Sequence, residues 1–245
     1  MDDPMSLNNK LVLITGAARR IGRELALAVA RAGGDVVIHF GQSQADAQSL
    51  CAEIESLGRR AFLLQADLTD PKQVETLVPR AREHGPLYAL VNNAAIFESL
   101  SWETSTLEDW NRHLMVNLTV PFLLSQAFAR LLPQGETGRI INLLDWRALR
   151  PGPDHLPYTI SKSALAALTR SLAIAFAPRI SVNGLALGAI LPPKDGAFLQ
   201  KLIEKVPAGR WADLDEVSQA LVFLLEGPAY ITGEIIHIDG GRHLV

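Results

Sequence analysis

Short apolar runs recur along the chain, separated by longer stretches in which apolar positions return every three or four residues. The runs Lys10–Thr15, Asp35–Phe40, Arg60–Gln65, Leu87–Asn92, Arg139–Leu144, Ile180–Ala186 and Glu234–Ile238 predict strands. Several are apolar almost without interruption, the pattern of parallel strands covered on both faces. The stretches at about 20–32, 43–57, 71–83, 103–132, 158–176 and 213–225 predict helices. Ser43 and Asp70-Pro71 supply start signals for two of them. This alternation predicts an α/β fold, a Rossmann-like doubly wound parallel sheet of about seven strands with helices on both faces.

Two stretches break the alternation. Arg147–Pro157 carries three prolines and a glycine and reads as a loop just before Tyr158. The stretch 191–210, with Pro192-Pro193 near its start, is long enough to be a lid over a site. Residues 1–8 are expected to be a loose tail, ahead of one domain spanning 9–245.

Composition narrows the function classes. With 48% hydrophobic and 20% charged residues the chain is ordinary for a globular protein. A net charge of −3 offers no basic excess to nucleic acid or an anionic membrane. Cys51 is the only cysteine, so no internal disulfide is possible. No apolar run approaches the roughly 20 residues that cross a bilayer. Met1-Asp2-Asp3-Pro4 lacks the order of a secretion signal, so a cytoplasmic location is expected. No cluster of His, Cys and carboxylates has metal-ligand spacing, and His113 and His237 read as structural.

The candidate chemistry lies in three places. Tyr158 and Lys162 are one helical turn apart and share a face, with Asp145 thirteen residues upstream. A nearby cation favours phenolate, so Lys162 is expected to lower the tyrosine's pKa. Gly16 and Gly22 frame a turn after the first apolar run, where missing Cβ atoms let backbone approach a pyrophosphate. Arg19 and Arg20 within it can hold an extra phosphate. The second strand ends His39-Phe40-Gly41-Gln42-Ser43, with no acidic residue before Asp46. A carboxylate there takes the ribose 2′-hydroxyl of NAD, so its absence favours NADP, with Ser43, His39 and the Gly41 backbone as donors; His39 reads equally as a satisfied strand-end residue.

Taken in order, these motifs resemble the short-chain dehydrogenase/reductase family across nearly the whole chain. The resemblance rests on the glycine turn at 15–22, Asp67-Leu68, Asn92-Asn93-Ala94-Ala95, Asn117, Tyr158 with Lys162, Val182-Asn183 and Asp239-Gly240-Gly241. It implies that Asp67 and Leu68 flank the adenine. It also implies that Gly16, Ile21, Gly22, Phe40, Asn93, Ala94, Ala95, Gly188 and Ile190 border the cofactor, NADPH or NADP. The family's catalytic set falls on Asp145, Tyr158, Lys162 and Asn117, with Asp145 where serine is usual.

Within the family, Asp145 resembles the pteridine reductases and dihydromonapterin reductases. So do the arginine at 20 in place of a middle glycine, His39, Phe97, and the ending Asp239-Gly240-Gly241-Arg242-His243-Leu244. The chain departs from that subgroup at Gln42, where an arginine is usual, and at Ala95, which replaces a serine. Leu187-Gly188 replaces the family's usual Pro-Gly. The resemblance implies an NADPH-dependent reductase transferring a hydride to a pterin or dihydropterin. Tyr158 supplies the proton, and Lys162 holds the nicotinamide ribose. Asn117 completes a water relay, and Arg20, Phe97 and Asp145 touch the small-molecule substrate. His155 is either a surface histidine or a substrate contact. Two rivals are a general carbonyl reductase, which normally has serine at 145, and a non-catalytic nucleotide sensor, which usually loses the tyrosine or lysine. The family pattern also implies a homotetramer built through the two long helices and the final strand.

Overall fold

The computed structural model describes residues 6–191 and 203–245. The strands are β1 (Leu11–Ile14), β2 (Asp35–Phe40), β3 (Ala61–Gln65), β4 (Leu87–Asn92), β5 (Gly138–Asp145), β6 (Ile180–Leu187) and β7 (Ile235–Ile238). They form one sheet in the order β3-β2-β1-β4-β5-β6-β7, every pairing parallel. The order reverses between β1 and β4. In open α/β sheets, ligands bind in the crevice at the carboxyl ends of the strands beside such a reversal.

Alternation along the strands sends neighbours to opposite layers. Val12, Ile14, Val36 and Ile38 pack with Leu25 and Val29 of α1 (Arg20–Arg31), Leu50 of α2 (Gln44–Ser56) and Leu221 of α7 (Leu214–Glu226). Leu11, Leu13 and Val37 pack instead with Leu77 of α3 (Pro71–Arg82), Leu124 of α5 (Val120–Leu131) and Leu172 of α6 (Leu156–Phe176). Both faces of the sheet are therefore covered.

Three elements depart from the sequence expectation. The helix expected over 103–132 starts later, at α4 (Leu107–Leu114), because Thr106 and Asp109 form a capping box that fixes the first turn. It then widens into a π-helical turn at Met115–Thr119 before α5. Pro121 explains the widening, since it has no N–H to give the carbonyl of Asn117 four residues back. The tail is not loose through residue 8: Leu7 is fully buried, and its N–H donates to Glu226 Oε1 at 3.0 Å. The lid expected at 191–210 falls largely on 192–202, outside the described residues.

The continuous helical run Leu107–Leu131 is long and apolar enough to cross a bilayer by length and composition, with 39% of its most apolar stretch buried. It is not an unbroken apolar run, since Glu108, Asp109, Arg112, Asn117, Gln126 and Arg130 interrupt it. Its Val120, Leu124 and Phe128 are packed into the core.

Candidate active site

The glycine turn follows β1. Gly16 has φ +62°, and a Cβ on Gly22 would lie 2.2 Å from the Gly16 carbonyl oxygen, so a side chain at 22 cannot be accommodated without moving backbone. The end of β4 braces this turn. Asn93 Nδ2 donates to the carbonyls of Thr15 and Gly16 at 2.8 and 3.1 Å, while the N–H groups of Asn93 and Ala94 donate to Thr15 Oγ1 at 3.0 and 3.1 Å.

Of its two readings, His39 is the satisfied strand-end residue and not a phosphate donor. Its Nδ1 accepts from Gly16 N–H at 3.0 Å, and its Nε2 donates to the Ala66 carbonyl at 3.1 Å. Burial holds its pKa down to about 4, so the ring is neutral and has no donor left for a phosphate. It positions the glycine turn from behind.

Arg20 stands at φ +54°, a left-handed conformation unusual for a side-chain-bearing residue, and faces the cleft with Arg19 and Ile21. Arg19 Nε donates to Asp46 Oδ2 at 2.6 Å, so the first acidic residue after β2 is already paired. Ser43 precedes α2 and makes no side-chain capping bond. Phe40 is a core residue, contrary to a direct role with its side chain. Asp67 accepts from Thr69 N–H and Oγ1 at 2.8 and 2.7 Å, and Leu68 is buried. Gly41, Ser43, Asp67 and Leu68 follow β2 and β3 and do not line the main cleft.

That cleft has a volume of about 1960 Å³ and runs from the glycine turn and Asn93–Ala95, past Asp145 and Tyr158, to Arg150 and Arg242. Gly188 and Ile190, which follow β6, line it as well. At its centre Asp145 ends β5 and Tyr158 sits in the first turn of α6. The Tyr158 hydroxyl donates to Asp145 Oδ2 at 3.1 Å. Asp145 Oδ1 accepts from Arg147 N–H at 2.8 Å and so caps the following turn. Phe97, half exposed, meets the Tyr158 ring edge-on at 4.7 Å and lies parallel to the His155 ring at 4.4 Å.

The electrostatics reverse one expectation. Tyr158 is held well above its ordinary pKa, first by burial and then by the Asp145 carboxylate, not lowered by Lys162. Lys162 Nζ donates to the Leu143 carbonyl at 2.6 Å and lies 5.9 Å from the Tyr158 ring centre. Burial brings its own pKa down to about 8. The phenol is thus an intact proton donor at neutral pH.

Asn117 lies in the π-helical turn. Its Oδ1 accepts from Ile96 N–H at 2.8 Å, and its Nδ2 donates to the Ile96 carbonyl and to Ser161 Oγ, both at 3.0 Å. Both amide hydrogens are engaged, so the side chain is held in place and a water relay at this residue would use its main-chain carbonyl.

The sequence reading missed Trp146, Arg147, Arg150 and the site role of Arg242. Arg147 pairs with Asp154 at 3.1 Å, and Arg147 and Arg242 both lie over the Trp146 ring, at 4.9 and 4.7 Å from its centre. The available signal was adjacency, since Trp146-Arg147 directly follows Asp145.

The enoyl-(acyl carrier protein) reductase model matches residues 16–243. The chain is 32% identical to a 3-oxoacyl-(acyl-carrier-protein) reductase of Synechocystis sp., covering 96% of this chain and 98% of the relative. Among solved structures it is similar to FolM alternative dihydrofolate reductase 1 from Brucella canis complexed with NADP. That match has TM-score 0.91 and 36% identity over 98% of this chain and 96% of the other. A short chain dehydrogenase from Burkholderia cenocepacia J2315, in complex with NADP, matches with TM-score 0.91 and 38% identity, over 97% and 99% of the two chains. The chain belongs to the short-chain dehydrogenase/reductase family, and its site is that of an NAD(P)-dependent oxidoreductase.

Proposed function

We propose that the protein is an NADPH-dependent reductase of a pterin or dihydropterin. The observation that carries this reading is the Tyr158–Asp145 hydrogen bond beside the exposed ring of Phe97. A carboxylate suits a ring rich in N–H groups better than a simple ketone, because it accepts the hydrogen bonds such a ring donates. Phe97 supplies an apolar face for a flat ring. The Brucella canis neighbour's description as an alternative dihydrofolate reductase supports the same reading.

The residues fit the cofactor. The glycine turn leaves room for backbone to approach a diphosphate, and Arg19 and Arg20 face the cleft beside it. The absence of a free carboxylate at the end of β2 suits a 2′-phosphate, as does the pairing of Asp46 with Arg19. When bound, NADPH supplies the hydride that adds to carbon of the substrate's C=N or conjugated C=C bond. Tyr158 delivers the balancing proton, directly or through water, and leaves as phenolate. Below about pH 8 the Lys162 ammonium beside it stabilises that negative charge. Asp145 holds both the phenol and a substrate N–H. The reading includes a homotetramer, supported by exposed Phe122 on α5 and Ile160 and Ile174 on α6. A monomeric mass by light scattering contradicts that part.

The test is NADPH oxidation with dihydrobiopterin, dihydromonapterin and dihydrofolate, against an acetoacetyl thioester and a simple diketone. Turnover of the pterins supports the proposal, and turnover confined to the ketones overturns it. The second reading, reduction of 3-oxoacyl thioesters, is favoured by the Synechocystis relative and uses the same Tyr158 and Lys162.

A further inference from the structure

The far wall of the cleft is cationic in a chain whose net charge is −3. Arg147 and Arg150 come from the loop after β5, and Arg242 from the segment after β7. Arg147 and Arg242 are gathered on Trp146, and Arg150 Nη1 reaches the Arg242 carbonyl at 3.5 Å. Arg242 Nη1 donates to the Lys205 carbonyl at 2.9 Å, which fixes the guanidinium and leaves its other donors for a ligand.

Two of the carboxylates around them are committed elsewhere. Asp154 is held by Arg147 and His155, and Asp239 by Gly241 N–H and by the N–H and ring of His243. Glu204 also lines the cleft, next to Lys205. Among the described residues neither Arg150 nor Arg242 forms an ion pair, and Arg147 Nε is buried without a hydrogen-bond partner. Like charges brought this close repel: burial, then Arg150 and Arg147, lowers the pKa of Arg242. Such a cluster is relieved by an anion.

This anion is not the cofactor's diphosphate. The glycine turn follows β1, whereas the arginines gather on Trp146, which follows β5 two strand positions away, about 10 Å at the usual strand spacing. Between them lie Asp145 and Tyr158, at the reacting centre.

We infer that Arg150 and Arg242, with Trp146 as their platform, bind an oxyanion carried by the substrate's appendage, so that the preferred pterin bears a carboxylate or phosphate at the far end of its side chain. This inference rests on the pterin reading and narrows it. A ring lying on Phe97 points one end at Tyr158 and Asp145 and extends the other along the cleft toward the arginines.

Calorimetric titration of the NADP-saturated protein tests it with three probes. These are dihydrofolate, a dihydropterin phosphorylated on its side chain, and dihydrobiopterin, whose side chain is uncharged. The expected result is that at least one oxyanion probe binds about tenfold tighter than dihydrobiopterin, as for a hydrogen bond to a charged group. Which one does so identifies carboxylate or phosphate. That preference is lost in Arg150→Ala and Arg242→Ala and partly kept in Arg242→Lys. If Arg242→Ala fails to fold, the exposed Arg150 carries the test. Equal affinities in the wild type, or a preference that the alanine variants retain, overturn the inference and leave the pterin reading standing. Binding of none of the three overturns both.

Discussion

Asp145 divides its two oxygens between different tasks: Oδ2 accepts the Tyr158 hydroxyl at 3.1 Å, and Oδ1 caps the turn at Arg147 N–H at 2.8 Å. The carboxylate therefore orients the phenol and fixes the loop that carries Trp146 and Arg147. With its pKa held well above the ordinary value, Tyr158 is protonated at neutral pH, as the proposed role of acid requires. Tyr158→Phe removes the proton donor and is expected to lower kcat by about 10²- to 10⁴-fold while NADPH binding changes little. Single-turnover rates together with a fluorescence titration of NADPH separate the two effects. Turnover within a factor of two of wild type contradicts the role.

His39 gives a pH-dependent stability. Its folded pKa is about 4, below the ordinary 6.5, so between those values the unfolded chain binds a proton that the folded chain does not. Stability therefore falls as pH drops from 6.5 toward 4, by on the order of 3 kcal/mol in total. His39→Gln cannot titrate there and is expected to show a flatter dependence, whatever its stability at neutral pH. Urea unfolding at several pH values from 7 to 4.5 measures both slopes, and equal slopes contradict the assignment.

Arg20 occupies a left-handed conformation that glycine adopts freely. In Arg20→Gly the relief of that strain and the added freedom of the unfolded chain offset each other, leaving stability within about 1 kcal/mol of wild type. The lost guanidinium is expected to raise the KM for NADPH about tenfold, as for a charge-assisted hydrogen bond. Thermal unfolding and steady-state kinetics on the same sample check both halves.

Gly22 is the opposite case. Its Cβ would lie 2.2 Å from the Gly16 carbonyl oxygen and 2.6 Å from Asn93 Nδ2, and the first of these is backbone that cannot yield cheaply. Gly22→Ala is expected to cost about 1–3 kcal/mol of stability, the range for overpacking, and to weaken NADPH binding through the displaced turn. A variant as stable as wild type that still binds NADPH normally contradicts this account of the turn.

How much of this was legible in the sequence depends on range. The strands were, because buried parallel strands are apolar on both faces, and Val36 and Val37 each find a core. Tyr158 with Lys162, and Gly16 with Gly22, were legible because the residues that define each motif lie within a few positions of one another, although the groups that brace them, Asn93, His39 and the Leu143 carbonyl, are distant. The pKa of Tyr158 was not: the spacing to Lys162 names the cation, but burial and Asp145 decide the sign. The π-helical turn was hidden, although Pro121 marks it once Asn117 is known to lie four residues earlier. The arginine wall was hidden as well, since Arg242 reaches Trp146 only when β7 is placed two strands beyond β5. His39 was ambiguous because its partners, Gly16 and Ala66, come from two neighbouring strand ends.

The central claim is that Asp145 directs the short-chain chemistry of Tyr158 toward a pterin. Its most direct measurement is the ratio of kcat/KM for dihydrofolate or dihydromonapterin to that for an acetoacetyl thioester, in wild type and in Asp145→Ser. The account predicts that wild type favours the pterin and that the ratio falls at least about tenfold in the variant, the loss of one hydrogen bond to a charged group. A ratio that is unchanged, or a wild type that reduces only the thioester, contradicts it.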